Sequence, residues 1–504
     1  MRFGFWIVGA IAAFLRLFNL GYPHALVFDE TYYVKDAWSL SHLGYEGIWH
    51  TDSDPSFIAG KVNGFSKAGS FIVHPPLGKW LISLGMLAFG PQNSWAWRIV
   101  PALFGIGLVV LLMFTAKRLL GSQSAATLAG LLLAIDGHAI VLSRTALLDG
   151  FLAFFALLAF YFLIRDREET RVRYTLMAIR EQAGQRVPSV LWNRPWLVAM
   201  AVALSLATCI KWSGLYFAMF FGAYVVISET LLRRRYGLKD WFFDGLLSQG
   251  AVNLVLMVPI YVAVYVANWT GWIITSGGYA RQSKSTWWQS LWQYHLDIYG
   301  FHVNLHTPHA YASNPLTWLF MMRPTSMYFS GTPTGPECPA FNGPNGCASA
   351  VTALGNPFIW WGAMAALLYL LYHYVRRGNR TEGLILLGVG AGYLPWLLYM
   401  QRTIFQFYAI AFLPFSILAL VYVLRSLWHR RPGAKTIENE RLRFEISGEA
   451  GEFVPGQVTT RWRKAIAIYL VSVAGISLFF LDLWWGFTTP YWFWLIHMWL
   501  PGWI

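Results

Sequence analysis

Residues 97–116 read WRIVPALFGIGLVVLLMFTA, a run of 20 residues in which Arg98 is the one charged side chain. A helix of about 20 apolar residues is long enough to cross the hydrocarbon core of a bilayer. Comparable apolar runs recur along the chain and are separated by short charged segments. The sequence therefore predicts an all-α integral membrane protein with many spans.

The composition of the 504 residues points the same way. It is 56% hydrophobic and 17% aromatic, and only 12% of the residues are charged, against about 25% in soluble domains. This excludes an ordinary soluble enzyme, a disordered chain, a collagen and a coiled coil. The net charge of +14 is not gathered in a separate basic domain, so we expect no nucleic-acid partner. Three cysteines are too few for a Cys-rich metal site.

The apolar segments predict about eleven transmembrane helices in one membrane domain that covers residues 1–504. The closely spaced segments 196–210 and 213–231 could instead form one bent span, which would change the count by one. The predicted spans are 3–20, 97–116, 121–140, 147–164, 196–210, 213–231, 245–267, 356–375, 382–400, 403–424 and 465–484.

The distribution of Lys and Arg predicts the orientation. With the N-terminus in the cytoplasm, 26 of the 38 basic residues fall on the cytoplasmic side, and Arg16 lies within the first span, where we expect it to snorkel to the interface. An excess of basic residues marks the cytoplasmic side of membrane proteins. We therefore expect a multi-pass protein of the plasma membrane with its C-terminus on the outer face.

Two long connections fall on the outer face. The first, 21–96, contains an apolar stretch at 77–90 that is too short to span and predicts an interfacial helix. The second, 268–355, contains Cys338 and Cys347. We expect these to form a disulfide on the oxidising side, with two separate thiols as the alternative. The segment 425–464 is predicted to be a cytoplasmic loop.

The first candidate site is FDETYY at 28–33, which places Asp29 and Glu30 in an aromatic, weakly polar stretch. A partly desolvated carboxylate has a raised pKa and can accept a proton from a hydroxyl group, as a general base does. The alternative is structural, because an acidic residue also stabilises a helix N-terminus.

The second candidate is HPPLGK at 74–79, where two prolines lead into the predicted interfacial helix. His74 and Lys79, beside free backbone N–H groups, could bind a lipid phosphate. A helix start with a snorkelling lysine is the alternative.

Two further motifs lie on the same face. In SRTALLD, at 143–149, Arg144 and Asp149 are near the hydrophobic boundary, and such charges usually pair or line a cavity. In QRTIFQFY, at 401–408, the guanidinium of Arg402 could hold a phosphate in a bidentate manner. The segment KWSG at 211–214 marks another outer turn, whose Lys211 could serve only as an interfacial anchor. A carboxylate facing several cations describes a transferase with a phosphate leaving group.

At these residues the sequence resembles the protein O-mannosyltransferases, which are membrane glycosyltransferases of the C type (GT-C fold). The motifs occur in family order over most of the chain, and loop 268–355 is too short for the extra β-trefoil domain of eukaryotic members, as in the bacterial branch. The motifs are FDETYY at 28–33, HPPLGKW at 74–80, SRTALLD at 143–149, IKWSGLY at 210–216, NPLTWLFMMRP at 314–324, LGNPFIWW at 354–361 and RTIFQFYAIAFLPF at 402–415.

The resemblance implies transfer of mannose from polyprenyl-phosphate-mannose to Ser or Thr hydroxyls of secreted proteins, with inversion at the anomeric carbon. Asp29 would be the base, and Glu30 would support it or position the peptide. The donor phosphate would be held by His74, Lys79, Arg144 and Arg402. Asp149 would orient Arg144 without contacting the donor itself.

The resemblance is to the metal-independent group, so we expect no cofactor, although the outer acidic residues could supply ligands to a divalent cation. The expected partners are the lipid-linked donor, an unfolded secreted polypeptide and the bilayer, with a translocon as a further candidate. Two other functions stay open at this stage. One is a C-type transferase of another lipid-linked sugar to a glycolipid or polysaccharide, and the other is a lipid or sugar transporter.

Overall fold

A computed structural model describes residues 2–332, 338, 345–429 and 460–504. The chain is built mainly from α-helices, as the apolar runs predict. The predicted cytoplasmic loop 425–464 lies for its greater part, 430–459, outside the described residues.

The N-terminal half is helical apart from a two-stranded antiparallel sheet in the first connection. In chain order the elements are α1 (Arg2–Leu17), α2 (Glu30–Leu43), β1 (Gly47–Trp49), α3 (Asp54–Ile58), β2 (Phe65–Gly69), α4 (Leu77–Phe89), α5 (Ser94–Leu120), α6 (Gln123–Ala134), α7 (Gly137–Arg144), α8 (Asp149–Gln182), α9 (Pro195–Ile210) and α10 (Gly214–Arg235).

The C-terminal half contains further membrane-length helices and a three-stranded antiparallel sheet of order β3-β4-β5. Its elements are α11 (Trp241–Phe243), a π-helical turn (Asp244–Gln249), α12 (Gly250–Asn268), α13 (Thr270–Ile274), α14 (Trp287–Val303), β3 (Ser326–Thr332), β4 (Cys347–Thr352), α15 (Pro357–Arg377), α16 (Arg380–Tyr393), α17 (Leu413–Trp428), α18 (Thr460–Phe479), α19 (Leu481–Trp485), β5 (Thr488–Pro490) and α20 (Tyr491–Leu495). Short 3₁₀ turns cover Pro315–Phe320, Leu394–Tyr399, Gln406–Ala411 and Pro501–Trp503.

Every predicted span contains at least part of an α-helix, although 121–140 is divided between α6 and α7 and the α-helix within 403–424 begins at Leu413. Within the described part of the chain, six helices are long and apolar enough to cross a membrane, and the bent pair α6 and α7 makes a seventh if it is one span. Helices α1, α4, α9 and α17 are apolar but shorter. The multi-pass membrane fold is therefore confirmed, while the exact number of eleven crossings stays a prediction.

The bend between α6 and α7, of 61°, is stabilised by a buried aspartate at the break. Asp136 caps α7 by accepting a hydrogen bond from the backbone N–H of Ala139 at 3.1 Å, and it accepts another from the indole of Trp360 on α15 at 2.9 Å. The next residue is Gly137, where a Cβ would fall 1.8 Å from the ring of Trp484. The break is therefore a packed feature of the fold.

Arg16 is buried, and the expectation that it snorkels to the interface is wrong. Its guanidinium donates to the carbonyls of Leu133 and Ala134 at 3.2 and 3.1 Å, and to the hydroxyl of Ser143 at 3.2 Å. The last carbonyls of α6 have no partner within their own helix. Arg16 satisfies two of them, because the bend exposes them toward α1.

The two outer connections are more ordered than the sequence suggests. The helix predicted at 77–90 is present as α4, but α14 and the sheet of β3, β4 and β5 were not predicted. Cys338 and Cys347 form the expected disulfide, which lies at the start of β4.

Candidate active site

A buried acidic residue ties the first connection to the membrane helices. Glu30, at the start of α2, accepts two hydrogen bonds from Arg98 of α5, to Oε1 from Nε at 2.9 Å and to Oε2 from Nη2 at 2.8 Å. Oε1 also accepts from the backbone N–H of Ala146 at 2.8 Å, and Oε2 from that of Val27 at 3.0 Å. Both side chains are at most 1% exposed. We refer to Glu30, Arg98 and Ala146 as the outer brace.

The outer brace also fixes the chain segment that precedes the candidate base. Arg98 donates to the carbonyls of Pro23 at 2.9 Å and Ala25 at 2.8 Å. Every oxygen of Glu30 and several donors of Arg98 are therefore engaged inside the protein. This geometry gives Glu30 a positioning role and leaves it no oxygen for a peptide.

Asp29 is adjacent in sequence but lies in a different environment. It stands at the N-terminus of α2, is partly buried, and accepts a hydrogen bond from the hydroxyl of Tyr33 at 3.4 Å. Burial raises the pKa of Asp29 to about 6, against an opposing effect of the positive charge of Lys211. Such a carboxyl group is suited to accept a proton near neutral pH.

The residue before Asp29 is conformationally strained. Phe28 has φ of +48°, a left-handed conformation that is unfavourable for a bulky side chain. Its ring makes edge contacts with His309, Phe405 and Phe407 at centroid distances of 5.5 to 5.7 Å. Strained backbone is often found where a functional side chain must be aimed, and here these aromatic contacts hold the turn that presents Asp29.

The helices enclose a cavity of about 270 Å³. Asp29 does not line it, but the charge of Asp29 interacts with those of Lys211 and Asp149 in its wall. The cavity lies between the turn from α9 to α10, the end of α14 and the 3₁₀ turns that follow α16. Three of the predicted site residues line it, and most of the remaining wall is aromatic, with Lys211 as a further cation. The lining residues are His74, Asp149, Lys211, Trp212, Ser213, Leu215, Tyr216, Tyr299, His302, Val303, Trp396, Tyr399, Arg402 and Tyr408.

Asp149 and Lys211 form an ion pair in the wall of this cavity, with 2.7 Å between Oδ2 and Nζ. The ammonium group also lies 4.8 Å from the ring centroid of Tyr408. The turn that carries Lys211 is tight, since a Cβ on Gly214 would fall 2.4 Å from the backbone nitrogen of Thr208. The prediction that Asp149 orients Arg144 is wrong, because its partner is Lys211.

Arg402 and His302 form the second cationic contact of the cavity. The guanidinium donates from Nη2 to Nδ1 of His302 at 2.9 Å, and the other ring nitrogen lies 3.0 Å from the carbonyl of Val73. His302 must therefore be neutral, with its proton on Nε2. Burial lowers its pKa to about 4, consistent with that state. Nε of Arg402 is buried and has no hydrogen-bond partner among the described residues, so it is available to a ligand.

His74 lines the same cavity, with its ring stacked on His302 at a centroid distance of 5.4 Å. Burial, together with the positive charge of Lys211, lowers the pKa of His74 well below its usual value. Within the described part of the chain its Nδ1 is buried without a partner. His74 is therefore a neutral hydrogen-bonding group of the site and not a cation.

Two predicted phosphate ligands have other partners, and the structure does not place them in the cavity. Lys79 is fully buried, forms an ion pair with Glu46 and donates to the carbonyl of His74 at 3.2 Å. Arg144 donates to the backbone carbonyls of Arg16, Phe18 and Asn19 at 2.6 to 3.1 Å. Lys79 therefore supports the loop that carries His74, and Arg144 caps the end of α1.

The sequence did not single out Lys211, His302 or Tyr408 as site residues. Lys211 lies in the segment KWSG, where its expected role was at most that of an interfacial anchor. His302 lies on α14, which was not predicted. A signal was present for Lys211, because a lysine between two apolar helices needs a counter-charge. Among the described residues, no group of three or more His, Cys, Asp or Glu side chains could hold a metal ion.

The multi-pass helical fold is that of the membrane glycosyltransferases of the C type, and a carboxyl group near a cationic cavity fits this class. In fold the chain is similar to the protein O-mannosyltransferase Pmt1-Pmt2 complex of S. cerevisiae bound to the sugar donor, with a TM-score of 0.71, 14% identity and coverage of 100% of this chain and 92% of that one. It is also similar to ArnT from Cupriavidus metallidurans bound to undecaprenyl phosphate, with a TM-score of 0.51, 17% identity and coverage of 96% and 76%.

The sequence comparisons narrow this class to one family. Residues 6–275 match the model of dolichyl-phosphate-mannose-protein mannosyltransferases, and residues 287–503 match the C-terminal four-helix region of protein O-mannosyltransferases. The polyprenol-phosphate-mannose--protein mannosyltransferase of Corynebacterium glutamicum is 30% identical over 95% of this chain and 88% of its own. That of Mycolicibacterium smegmatis is 32% identical over 84% and 82%.

The chain belongs to the protein O-mannosyltransferase family. It is therefore an enzyme, a membrane glycosyltransferase, and the transporter interpretation that the sequence left open is set aside. The resemblance found from the separated motifs is confirmed.

The outer brace predicts a specific effect on stability. Arg98→Met leaves the carboxylate of Glu30 buried without a counter-charge, and we expect a loss of about 3–5 kcal/mol. Thermal unfolding of the purified protein in detergent, followed by tryptophan fluorescence, measures this loss. In the same helix, Arg118→Met removes a half-exposed pair with Glu168 and should cost at most about 1 kcal/mol. Equal melting temperatures for the two variants would contradict the assignment.

Proposed function

We propose that the chain transfers mannose from polyprenyl-phosphate-mannose to Ser or Thr hydroxyls of secreted proteins, at the outer face of the membrane and with inversion. The donor and the acceptor class are those in the names of the bacterial relatives. The single observation that carries the proposal is the position of Asp29, a partly buried carboxyl group with a raised pKa within electrostatic range of Lys211 at the cavity.

The cationic wall of the cavity is suited to the donor phosphate. Arg402 has a free donor at Nε, and Lys211 adds a second positive charge. Neutral His302 holds the guanidinium in place through the hydrogen bond to Nδ1, while His74 can contribute a hydrogen bond. Fixed positive groups in a water-poor site stabilise the negative charge that develops on a leaving phosphate.

The acceptor reacts on the opposite side of the sugar. Its hydroxyl oxygen attacks the anomeric carbon, the bond from that carbon to the phosphate oxygen breaks, and the hydroxyl proton passes to Asp29. The products are the mannosylated side chain and the polyprenyl phosphate, and the single displacement inverts the anomeric carbon. Asp149 neutralises part of the charge of Lys211 and so adjusts the field between the base and the leaving group.

We further propose that the reaction needs no divalent cation, since Arg402 and Lys211 supply the positive charge that a metal ion would otherwise provide. The orientation proposed from the basic residues places this site on the outer face, where an unfolded acceptor could be delivered by a translocon. An unfolded acceptor is needed because its hydroxyl group must reach Asp29, which is partly buried.

Asp29→Asn tests the proposed chemistry. The amide cannot accept the proton, so turnover should fall on the order of 10²- to 10⁴-fold while donor binding is retained. The assay measures transfer from radiolabelled polyprenyl-phosphate-mannose to a Thr/Ala/Pro-rich peptide by the purified protein in nanodiscs, with and without EDTA. We expect labelling by the wild type in both conditions.

Asp36→Asn is the matched control, because Asp36 is a buried acid of α2 whose charge interacts with Lys79 and Glu46 and not with Lys211 of the cavity. It should keep turnover within a few-fold of the wild type. Near-normal turnover of Asp29→Asn would remove Asp29 as the base. Loss of labelling in EDTA would contradict the metal-independent mechanism, and no labelling with intact donor would overturn the proposed substrates.

The pH dependence follows from the pKa of Asp29. The active form is the deprotonated carboxylate, so lowering the pH through about 6 should reduce kcat/KM about tenfold per unit, and the rate should level off above that value. Initial rates between about pH 5 and pH 8 test this. Asp36 also has a pKa raised by burial, to about 7. In Asp36→Asn, kcat/KM must therefore still fall as the pH is lowered. If that fall disappears in this variant, the titrating group is Asp36.

A further inference from the structure

A second and larger cavity lies far from the candidate active site. It is a groove of about 760 Å³ between α10, α15 and α16. Its walls are mainly leucine side chains, among them Leu231, Leu367, Leu371, Leu384 and Leu387. Four arginines stand at one end of it, Arg167 and Arg171 of α8, Arg235 at the end of α10 and Arg380 at the start of α16.

The four arginines of this cluster have little counter-charge. Arg167 lies 3.7 Å from Glu229, but Arg171, Arg235 and Arg380 make no side-chain hydrogen bond or ion pair with any residue that the structure describes. The other three all act on Arg380 with repulsive charge. Like charges held together in this way favour binding of an anion.

Some other arginines of the same end have carboxylate partners and do not line the groove. Carboxylate partners are present for Arg118, Arg173, Arg194 and Arg233, which contact Glu168, Glu169, Asp166 and Asp244 respectively. Arg234, Arg376 and Arg377 lie at the same end outside the groove and also have no carboxylate partner among the described residues, so the lack of a counter-charge does not by itself mark the cluster. What distinguishes it is the position at the mouth of an apolar groove.

The arginine cluster lies in the opposite leaflet from the active site. Arg167 follows Asp149 by 18 residues of the same helix, which is about 27 Å at the α-helical rise, close to the thickness of the hydrocarbon core. The groove extends along α16, whose 14 residues cover about 20 Å. An acyl chain that reaches the middle of the bilayer needs about 15 Å.

We propose that this groove binds an anionic glycerophospholipid, with its phosphate among Arg171, Arg235 and Arg380 and its acyl chains along the leucines. Charge complementarity selects the headgroup, and the apolar walls select a lipid over a free anion. The site is separate from the proposed sugar transfer and does not depend on it.

The test measures lipid retention by the full-length protein. The purified protein in detergent is given equal amounts of phosphatidylglycerol and phosphatidylcholine with matched chains, and native mass spectrometry counts the bound molecules. Each arginine beside an anionic headgroup contributes roughly fivefold to binding. We therefore expect a marked preference for phosphatidylglycerol that the triple variant Arg171→Gln, Arg235→Gln, Arg380→Gln loses by about tenfold or more.

The matched control is Arg234→Gln, Arg376→Gln, Arg377→Gln, which removes the same charge from the same end of the protein outside the groove. It should keep the preference. Leu387→Trp, which fills the groove and leaves the arginines intact, should reduce the retention of both lipids. Unchanged melting temperatures show that the variants are folded.

Three results would overturn the proposal. Equal retention of phosphatidylglycerol by the two triple variants would remove the arginines from the site. Displacement of the lipid by inorganic phosphate, or retention unaffected by Leu387→Trp, would show a simple anion site. Absence of any preference in the wild type would show that the cluster does not select an anionic headgroup.

Discussion

The buried contact between Glu30 and Arg98 is the constraint on which the outer half of the molecule depends. It joins the first connection to α5 and, through the N–H of Ala146, to the turn before α8. The same turn leads to Asp149, so Asp29 and the cavity wall are positioned by one set of hydrogen bonds. Two adjacent acidic residues thus have opposite tasks, because Glu30 is fully satisfied and Asp29 is left partly exposed.

The sequence could predict the helices and the family, since both depend on local patterns. Apolar runs of membrane length and separated motifs can be recognised in the sequence alone, and every predicted span contains at least part of an α-helix. The disulfide between Cys338 and Cys347 was also within reach, because few cysteines on one side leave few pairings. The number of crossings was harder, since a bend such as that at Asp136 divides one apolar run into two helices.

The pairing of charges could not be predicted, because a buried charge takes its partner from the tertiary fold. Lys79 looked like a phosphate ligand but is neutralised by Glu46, and Arg144 satisfies backbone carbonyls of α1. Lys211 looked like an anchor but faces the cavity with Asp149. Motif position therefore identified the right loops, while contacts between them decide which charges remain available to a substrate. The groove between α10, α15 and α16 follows the same rule, since Arg171, Arg235 and Arg380 at its end have no carboxylate partner among the described residues.

The most direct test is a structure of the full-length protein in nanodiscs with a non-hydrolysable phosphonate analogue of polyprenyl-phosphate-mannose. In the proposed mechanism, Arg402 and Lys211 bind the phosphate while Asp29 faces the anomeric carbon. We expect the phosphonate within hydrogen-bonding distance of Arg402 and the sugar between it and Asp29. A phosphonate bound at Lys79 or Arg144, with the cavity at Arg402 empty, would contradict the account.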